Sequence, residues 1–399
     1  MRTGVWLPAV GLSDRFSRMP ASGPRVIVND RVLWGPRTGI GHYVAELISG
    51  LREADPGVEL LPFYQMYLAR LLRRPGERRP SRPCARPPSW LRPTVEKLYQ
   101  AAFARVGRLC GCQLYHEPCN IPGPWDGLIL TTIHDLSVIR YPQWHPADRV
   151  QWYQSQFEAA LARSEHFVAV SEFTKREMVE LLAISPERIT VIHAGPRPAF
   201  RPRPPDQVRT WLAARGLPAQ YLLYVGTLEP RKNLDGILAA YSRLPSSIRE
   251  GCPLLLAGSA GWQHEAIDRL VRGHGLQAQV RALGYQDDQA LAMLYAGARA
   301  LVWPSFYEGF GLPPLEAMAT GTPVISANSS SIPEVVASAG ILVDPHDVGQ
   351  ISAAIRAVLE DRVLAEALSQ RGLRRSREFS RLRFAAEHAA LYRRLVGQR

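Results

Sequence analysis

One stretch constrains this chain more than any other: Trp303-Pro304-Ser305-Phe306-Tyr307-Glu308-Gly309-Phe310-Gly311-Leu312-Pro313-Pro314-Leu315-Glu316-Ala317-Met318-Ala319-Thr320-Gly321. Before it, Ala300 to Trp303 is a short apolar run closed by Pro304, which reads as a buried strand. Pro314 suits the first position of a helix, where its missing N–H leaves nothing unsatisfied. Gly321 then ends that helix, and Pro323-Val324-Ile325 opens another strand. Strand, glycine loop, helix and strand in this order make a parallel α/β unit. Such units bind ligands beyond the carboxyl ends of their strands.

The chemistry of the loop follows from the same residues. The amides of Gly309, Phe310, Gly311 and Leu312 lie at a helix start and can receive a phosphate. Glycines at 309 and 311 let the backbone approach a ligand with no side chain between. Two carboxylates, Glu308 and Glu316, flank this anion site, although a phosphate cradle alone has no use for either. A ligand with phosphates in the middle and hydroxyls at both ends explains both, and that describes a nucleotide-sugar. The plain alternative is a capped helix whose Glu316 only complements the helix dipole.

Glutamate, seven residues and a second glutamate, set in Pro304-Ser305 … Glu308-Gly309-Phe310-Gly311-Leu312 … Leu315-Glu316-Ala317-Met318-Ala319, resembles the donor signature of retaining GT-B glycosyltransferases of family 4. The resemblance implies an α/β protein of two doubly wound Rossmann-like domains facing across a cleft. It covers most of residues 25–399, strongly in the second half and more loosely between 64 and 113, where acceptor recognition is expected. It also implies that Glu308 orients donor-sugar hydroxyls and that Glu316 holds the ribose.

Along the chain, residues 1–24 carry no pattern and read as an N-terminal extension. Arg25 to Asn29 reads as the first strand. A glycine loop, Gly35-Pro36-Arg37-Thr38-Gly39-Ile40-Gly41, leads into an amphipathic helix with Val44, Leu47, Ile48 and Leu51 on one face. In the family it resembles, this loop shapes the donor and acceptor sites, which places Gly39 and Gly41 among the donor-binding residues. Leu128 to Ile133 is a strand ending at His134-Asp135. Judged alone, a histidine there is more often structural than catalytic. The likeness of Thr132-Ile133-His134-Asp135-Leu136 to the family's HD motif implies that His134 contacts the donor sugar and that Asp135 supports the loop.

Ser171 and Thr174 fit a helix N-cap and are assigned no chemistry. Prolines at 196, 198, 202, 204 and 205 mark a linker, so the expected domains are 25–200 on the acceptor side and 201–379 on the nucleotide-sugar side. A final helix over 380–399 is expected to cross back to the first domain. Tyr221 to Val225 reads as a buried strand running into Gly226-Thr227-Leu228-Glu229-Pro230-Arg231-Lys232-Asn233, with Asn233 capping the next helix. Two adjacent cations at a strand-to-helix turn suit a diphosphate, and the family analogy gives Arg231 and Lys232 that role. Many relatives carry an arginine where this chain has Thr227, so either Arg231 supplies that charge or the phosphate is held by one cation fewer. Gly284-Tyr285 borders the nucleotide base by the same analogy. Asp287 and Asp288 suit a helix N-terminus better than a metal, and the chain contains no Asp-x-Asp motif. The expected site therefore uses no metal and no cofactor beyond the donor.

At 399 residues and 46% hydrophobic content, two domains with full cores are the natural expectation. The formal net charge of +12 suits an acidic partner. Part of the excess is local, since residues 70–92 hold eight arginines against the single acid Glu77, interleaved with prolines. This run is either a solvated basic loop or a clamp on phospholipid or a lipid-linked pyrophosphate. Five cysteines without a C-x-x-C pair suggest reduced thiols in cytosol. No apolar run reaches bilayer length. Val5 to Leu12 is broken by Pro8 and Gly11, which speaks against a cleaved signal peptide and leaves Met19 as an alternative start.

The expected reaction is retaining transfer of a hexose, with GDP-mannose the favoured donor, to a saccharide or lipid-linked acceptor of cell-surface polysaccharide assembly. The cytoplasm, with peripheral contact at the inner membrane face, is the expected location. UDP-, ADP- and dTDP-sugars remain alternatives. So does a non-catalytic binder of nucleotide-sugar or nucleic acid, though no basic–aromatic module supports the latter. A phosphorylase or epimerase on the same fold lacks any motif here for a pyridoxal-binding lysine.

Overall fold

The protein is described from a computed structural model over residues 23–34, 39–64, 92–227, 229–258 and 264–398. Residues 1–22, Gly35 to Thr38, the arginine-rich run through Leu91 and Leu228, all read above from the sequence, lie outside these described residues. In chain order the elements used below are β1 (Arg25–Val28), α1 (Gly39–Ala54), β2 (Glu59–Pro62), α2 (Arg92–Leu109), β3 (Leu114–Glu117), β4 (Leu128–Ile133), β5 (His166–Ala169), α3 (Glu172–Leu182) and β6 (Ile189–Val191). They continue with β7 (Leu222–Val225), α4 (Leu234–Ser242), β8 (Leu254–Ala257), β9 (Val280–Gly284), α5 (Asp288–Gly297), β10 (Ala300–Trp303), α6 (Leu312–Thr320), β11 (Val324–Ala327), β12 (Ile341–Val343) and α7 (Arg381–Gly397). The strands form two six-stranded sheets, ordered β2-β1-β3-β4-β5-β6 and β12-β11-β10-β7-β8-β9.

Two compact units result: residues 1–131 with 160–165 and 385–399, and residues 132–159 with 166–384. In the first, β1 pairs in parallel with both β2 and β3, so that Val26 stands opposite Leu60 and Leu114. Ile27, Leu61 and Tyr115 on these strands and Ile129 on β4 pack with Phe63 and with Tyr99 and Phe103 of α2. Within the same unit, the Tyr43 hydroxyl lies 2.9 Å from His388 Nε2, and His116 Nδ1 lies 2.7 Å from the Tyr392 hydroxyl.

In the second unit, β7, β8, β10 and β11 are buried along their whole length. Unbroken apolar strands of this kind belong to a parallel sheet covered on both faces. β10 pairs with β7, Leu301 opposite Leu223, although they are not consecutive in the chain. This pairing is the switch point of the sheet, where the loops leaving two neighbouring strands diverge and leave room for a ligand. The loops concerned are 226–233 and 304–311.

Two local expectations are corrected. The helix after the glycine loop begins at Leu312 rather than Pro314, with Gly311 at its N-cap in a left-handed conformation (φ 116°). Pro313 and Pro314 thus occupy the second and third positions, which is tolerated because amides of the first turn have no intrahelical acceptor. Asn233 does not cap α4 with its side chain. Its Nδ2 instead donates to the carbonyls of Pro304 (3.0 Å) and Pro345 (2.6 Å), tying the loop after β7 to those after β10 and β12. The expected cap of α3 is present, with Ser171 Oγ accepting from the Thr174 amide. Asp287 caps α5 through the Ala290 amide.

Candidate active site

The two loops at the switch point are laced together before any charged group is considered. Trp303 Nε1 donates to the Val225 carbonyl at 2.8 Å, locking the ends of β10 and β7. The Phe306 amide and the Ser305 hydroxyl both donate to the Arg231 carbonyl, each at 2.9 Å. Arg231 and Lys232 therefore stand beside Glu308 on a scaffold fixed by backbone groups.

Glu308 is buried and meets both cations. Its Oε2 accepts from Arg231 Nη1 at 2.9 Å, and its Oε1 accepts from Lys232 Nζ and, at 2.6 Å, from the Ser305 hydroxyl. Burial pushes the Glu308 carboxyl up, but Lys232 and Arg231 outweigh it and hold the group below the ordinary range. For Lys232, burial and then the neighbouring Arg231 lower the proton affinity, against the pull of Glu308. Arg231 also donates through Nε to Glu229 at 2.9 Å and through Nη1 to the Tyr307 carbonyl at 3.2 Å. Lys232 Nζ sits 4.7 Å above the Trp303 ring. An arginine has five N–H donors and a lysine three, so both cations keep hydrogens for an incoming anion.

His134 and Asp135 join the same cluster. A Cβ added to Gly309 would fall 1.7 Å from the His134 carbonyl oxygen, so only glycine lets the 309 backbone lie against the strand end. The Leu136 amide donates to the Tyr307 hydroxyl at 3.1 Å, and that hydroxyl donates to Glu177. Asp135 accepts from the Ser137 amide (3.0 Å) and hydroxyl (2.6 Å), the geometry of a loop brace. Burial raises its pKa, but Arg231 and Ser137 more than reverse that.

The amides of Gly309, Phe310 and Gly311 have no hydrogen-bond acceptor among the described residues, although all three residues are buried. Amides within buried residues normally find a partner, and these three directly precede α6, whose N-terminal dipole favours an anion.

Glu316, on α6, lies in a second buried cluster. Its Oε1 accepts from Arg197 Nε (3.0 Å) and Nη2 (2.7 Å), and the Tyr295 hydroxyl lies 3.5 Å from its Oε2. Arg197 Nη1 also donates to Asp288, and its guanidinium lies over the Phe200 ring at 4.4 Å. Burial raises the Glu316 carboxyl, and Arg197 only partly offsets it. Burial disfavours the Arg197 charge, but Glu316 and Asp288 outweigh that.

The second unit thus brings His134, Arg231, Lys232, Glu308, Gly309, Phe310, Gly311 and Leu312 to one switch point, with Glu316 on the helix that follows. Thr227 follows β7, and its carbonyl accepts from the Tyr224 hydroxyl at 3.2 Å. Tyr285 follows β9 with 53% of its surface exposed. Gly39 and Gly41 belong to the first unit, at the start of α1. Sequence reasoning missed Arg197, which lies in the proline-rich linker without periodicity, and gave Asp288 only a dipole role. It also missed Glu229 and the site contacts of Ser171, Thr174 and Ser331. Among the described residues, no three His, Cys, Asp or Glu side chains group in a way that would hold a metal ion.

Comparison with known proteins bears on this geometry. Residues 37–199 match the family described as Glycosyltransferase Family 4, and residues 214–375 match Glycosyl transferases group 1. The chain is 36% identical over 355 residues to the O-antigen chain mannosyltransferase B of Escherichia coli, covering 86% of this chain and 93% of that protein. Among solved structures, the sucrose-phosphate synthase of Thermosynechococcus elongatus superposes with a TM-score of 0.73 at 23% identity, over 94% of this chain and 100% of that one. Anabaena HepE, solved with UDP-glucose, gives a TM-score of 0.69 at 15% identity over 92% of this chain and 98% of that one. Those two likenesses concern the fold, which is GT-B. With a relative matched across nearly its full length and both family regions in order, the chain belongs to the family 4, group 1 glycosyltransferases and is a glycosyltransferase.

Proposed function

We propose that the protein transfers mannose from GDP-mannose, with retention of anomeric configuration, to a hydroxyl of a saccharide or lipid-linked acceptor in cell-surface polysaccharide assembly. The observation that carries the sugar is the 36% identity to an O-antigen chain mannosyltransferase over 93% of that protein's length. The chemistry rests on the second unit. Arg231, Lys232 and the amides of Gly309 to Leu312 stabilise charge developing on the departing diphosphate. Each such preorganised donor contributes about 2–4 kcal/mol to lowering a barrier. Glu308 orients hydroxyls of the donor sugar, His134 contacts the same sugar, and Glu316 holds the ribose with Tyr285 beside the base. Glu308 is already engaged by two cations and a hydroxyl, which fits an orienting acceptor better than a covalent nucleophile. The leaving phosphate takes the proton of the attacking hydroxyl, on the face from which it departs.

The test is transfer from GDP-mannose, UDP-glucose, ADP-glucose and dTDP-rhamnose to a mannose-terminated acceptor, in the presence of a chelator, with the product anomer read by NMR. Turnover of GDP-mannose alone to an α-linked product is expected, with loss in Glu308→Ala. Turnover of UDP-glucose instead would keep the transferase and discard mannose. Binding of GDP-mannose without turnover would leave a sensor.

A further inference from the structure

Three successive carbonyls of the 308–310 loop are held by side-chain hydroxyls, all of them buried. Ser331 Oγ lies 2.9 Å from the Glu308 carbonyl and 2.8 Å from that of Phe310, its one proton shared between them. The Gly309 carbonyl between accepts from Ser171 Oγ at 2.6 Å and from Thr174 Oγ1 at 3.1 Å. Ser331, Ser171 and Thr174 have no exposed surface. The two serines preceding Ser331 act on the same loop, Ser329 Oγ donating to the Phe306 carbonyl at 3.3 Å and Ser330 Oγ accepting from the Glu308 amide at 3.0 Å.

In a planar trans peptide the C=O of one residue and the N–H of the next point in opposite directions. Holding the carbonyls of 308, 309 and 310 therefore fixes the directions of the amides of 309, 310 and 311. Those three amides belong to buried residues and have no acceptor among the described residues. Donors of this kind stabilise a developing anion only if they are aimed before it forms. Glycine at 309 and 311 makes the loop soft, and a soft loop would let its peptides rotate away.

We propose that Ser331, with Ser171 and Thr174, is a positioning device that aims the loop amides at the outer phosphate of the donor's diphosphate. The clamp couples the 329–331 turn and the first turn of α3 to the leaving group without touching it. Ser171 thereby does two jobs, since its oxygen caps α3 through the Thr174 amide while its proton goes to Gly309. This rests on reading the loop as the diphosphate site.

The prediction separates a clamp from a merely structural serine. Affinities of the nucleoside diphosphate and monophosphate would be measured by calorimetry for the wild type, Ser331→Ala, Ser331→Thr and Ser171→Ala, with the base chosen as whichever of GDP, UDP, ADP and dTDP the wild type binds. Ser331→Ala is expected to lose about tenfold for the diphosphate, with kcat falling by at least as much and the monophosphate affinity staying within twofold. Ser331→Thr restores the hydroxyl and recovers most of the loss. Ser171→Ala, which keeps Ser331, gives a smaller loss of the same selectivity and stands in should Ser331→Ala fail to fold. Equal losses for the two nucleotides, or no loss in a folded variant, would overturn the clamp. A preference for UDP would sink the GDP-mannose reading while the same comparison still decides the clamp. A wild type that binds no nucleoside diphosphate would overturn both.

Discussion

Removing the Glu308 carboxylate leaves Arg231 and Lys232 side by side in a buried loop, so the variant reports electrostatics as well as catalysis. Breaking one member out of a buried ion pair destabilises by about 3–5 kcal/mol. Glu308→Ala is expected to lose stability on that scale in urea, and a nucleoside diphosphate should raise its melting temperature more than it raises that of the wild type, because the phosphates restore the missing negative charge. An unchanged urea midpoint would show that the cations relax into solvent. The pH dependence has a definite sign. The Glu308 carboxyl lies below its ordinary value of 4.5, so its contribution is fully present above that pH and fades as pH falls through the lower folded value. The stability gap between the wild type and Glu308→Gln should therefore narrow only in acid. Glu316 behaves in the opposite way. Burial already raises its carboxyl, Asp288 adds to that, and Arg197 is the charge that opposes it, with the Tyr295 hydroxyl assisting. Arg197→Met is thus expected to weaken nucleotide binding by about tenfold, the size of one charge-assisted hydrogen bond. Its affinity should also begin to fall at a higher pH than in the wild type as acid is added. Parallel pH profiles of the two dissociation constants would refute this role for Arg197.

At the scale of elements, the loops after β7 and β10 decide what the sheet can do, and two residues there carry the geometry. Gly309→Ala forces the new methyl against the His134 carbonyl, so the loop or the strand end must move. A displacement of about 1 Å in a catalytic constellation costs about a hundredfold in rate. The variant should fold, as judged by circular dichroism, yet transfer sugar at about 1% of the wild-type rate. Full activity would mean that the loop adopts another path when donor is bound. Asn233→Ala would leave the carbonyls of Pro304 and Pro345 without their donor, at a cost of about 1–3 kcal/mol read in urea. Loss of helix content alone would instead support a capping role. Asn233 also shows where sequence reasoning stops. An asparagine before a helix has the right chemistry for a cap, and nothing nearby in the chain announces that carbonyls 71 and 112 residues away will claim its amide. The central strands of the second unit were legible because each is a short apolar run next to a glycine or proline, as in Leu254-Leu255-Leu256-Ala257-Gly258. The glycine loop and its two glutamates were legible for the same reason, since their spacing is local. Arg197 was not. It belongs to a proline-rich stretch without period, and its partners Asp288 and Glu316 come from two different helices.

For the whole molecule the open quantity is charge. A net +12 exceeds what a single diphosphate ligand requires, and eight of the cations fall within residues 70–92. The described helices include none long and apolar enough to cross a membrane. If the acceptor is lipid-linked, the enzyme must still work at a bilayer surface, and anionic lipid attracts each nearby Lys or Arg by about 1 kcal/mol. We therefore expect cosedimentation with phosphatidylglycerol vesicles at low salt and none with phosphatidylcholine. Raising the salt from 0.1 M to 1 M shortens the screening length from about 10 Å to about 3 Å and should release the protein. Replacing Arg73, Arg74, Arg78 and Arg79 together with glutamine removes four of these cations. That variant should lose most of the vesicle binding while its GDP affinity stays within twofold, because Arg231, Lys232, Glu308 and Glu316 lie more than a hundred residues further along the chain. Its activity should fall on membrane-embedded acceptor and persist on a soluble saccharide. Equal binding to neutral and anionic vesicles would point to an apolar contact, and a variant that binds as the wild type does would return the arginine run to the status of a solvated surface loop.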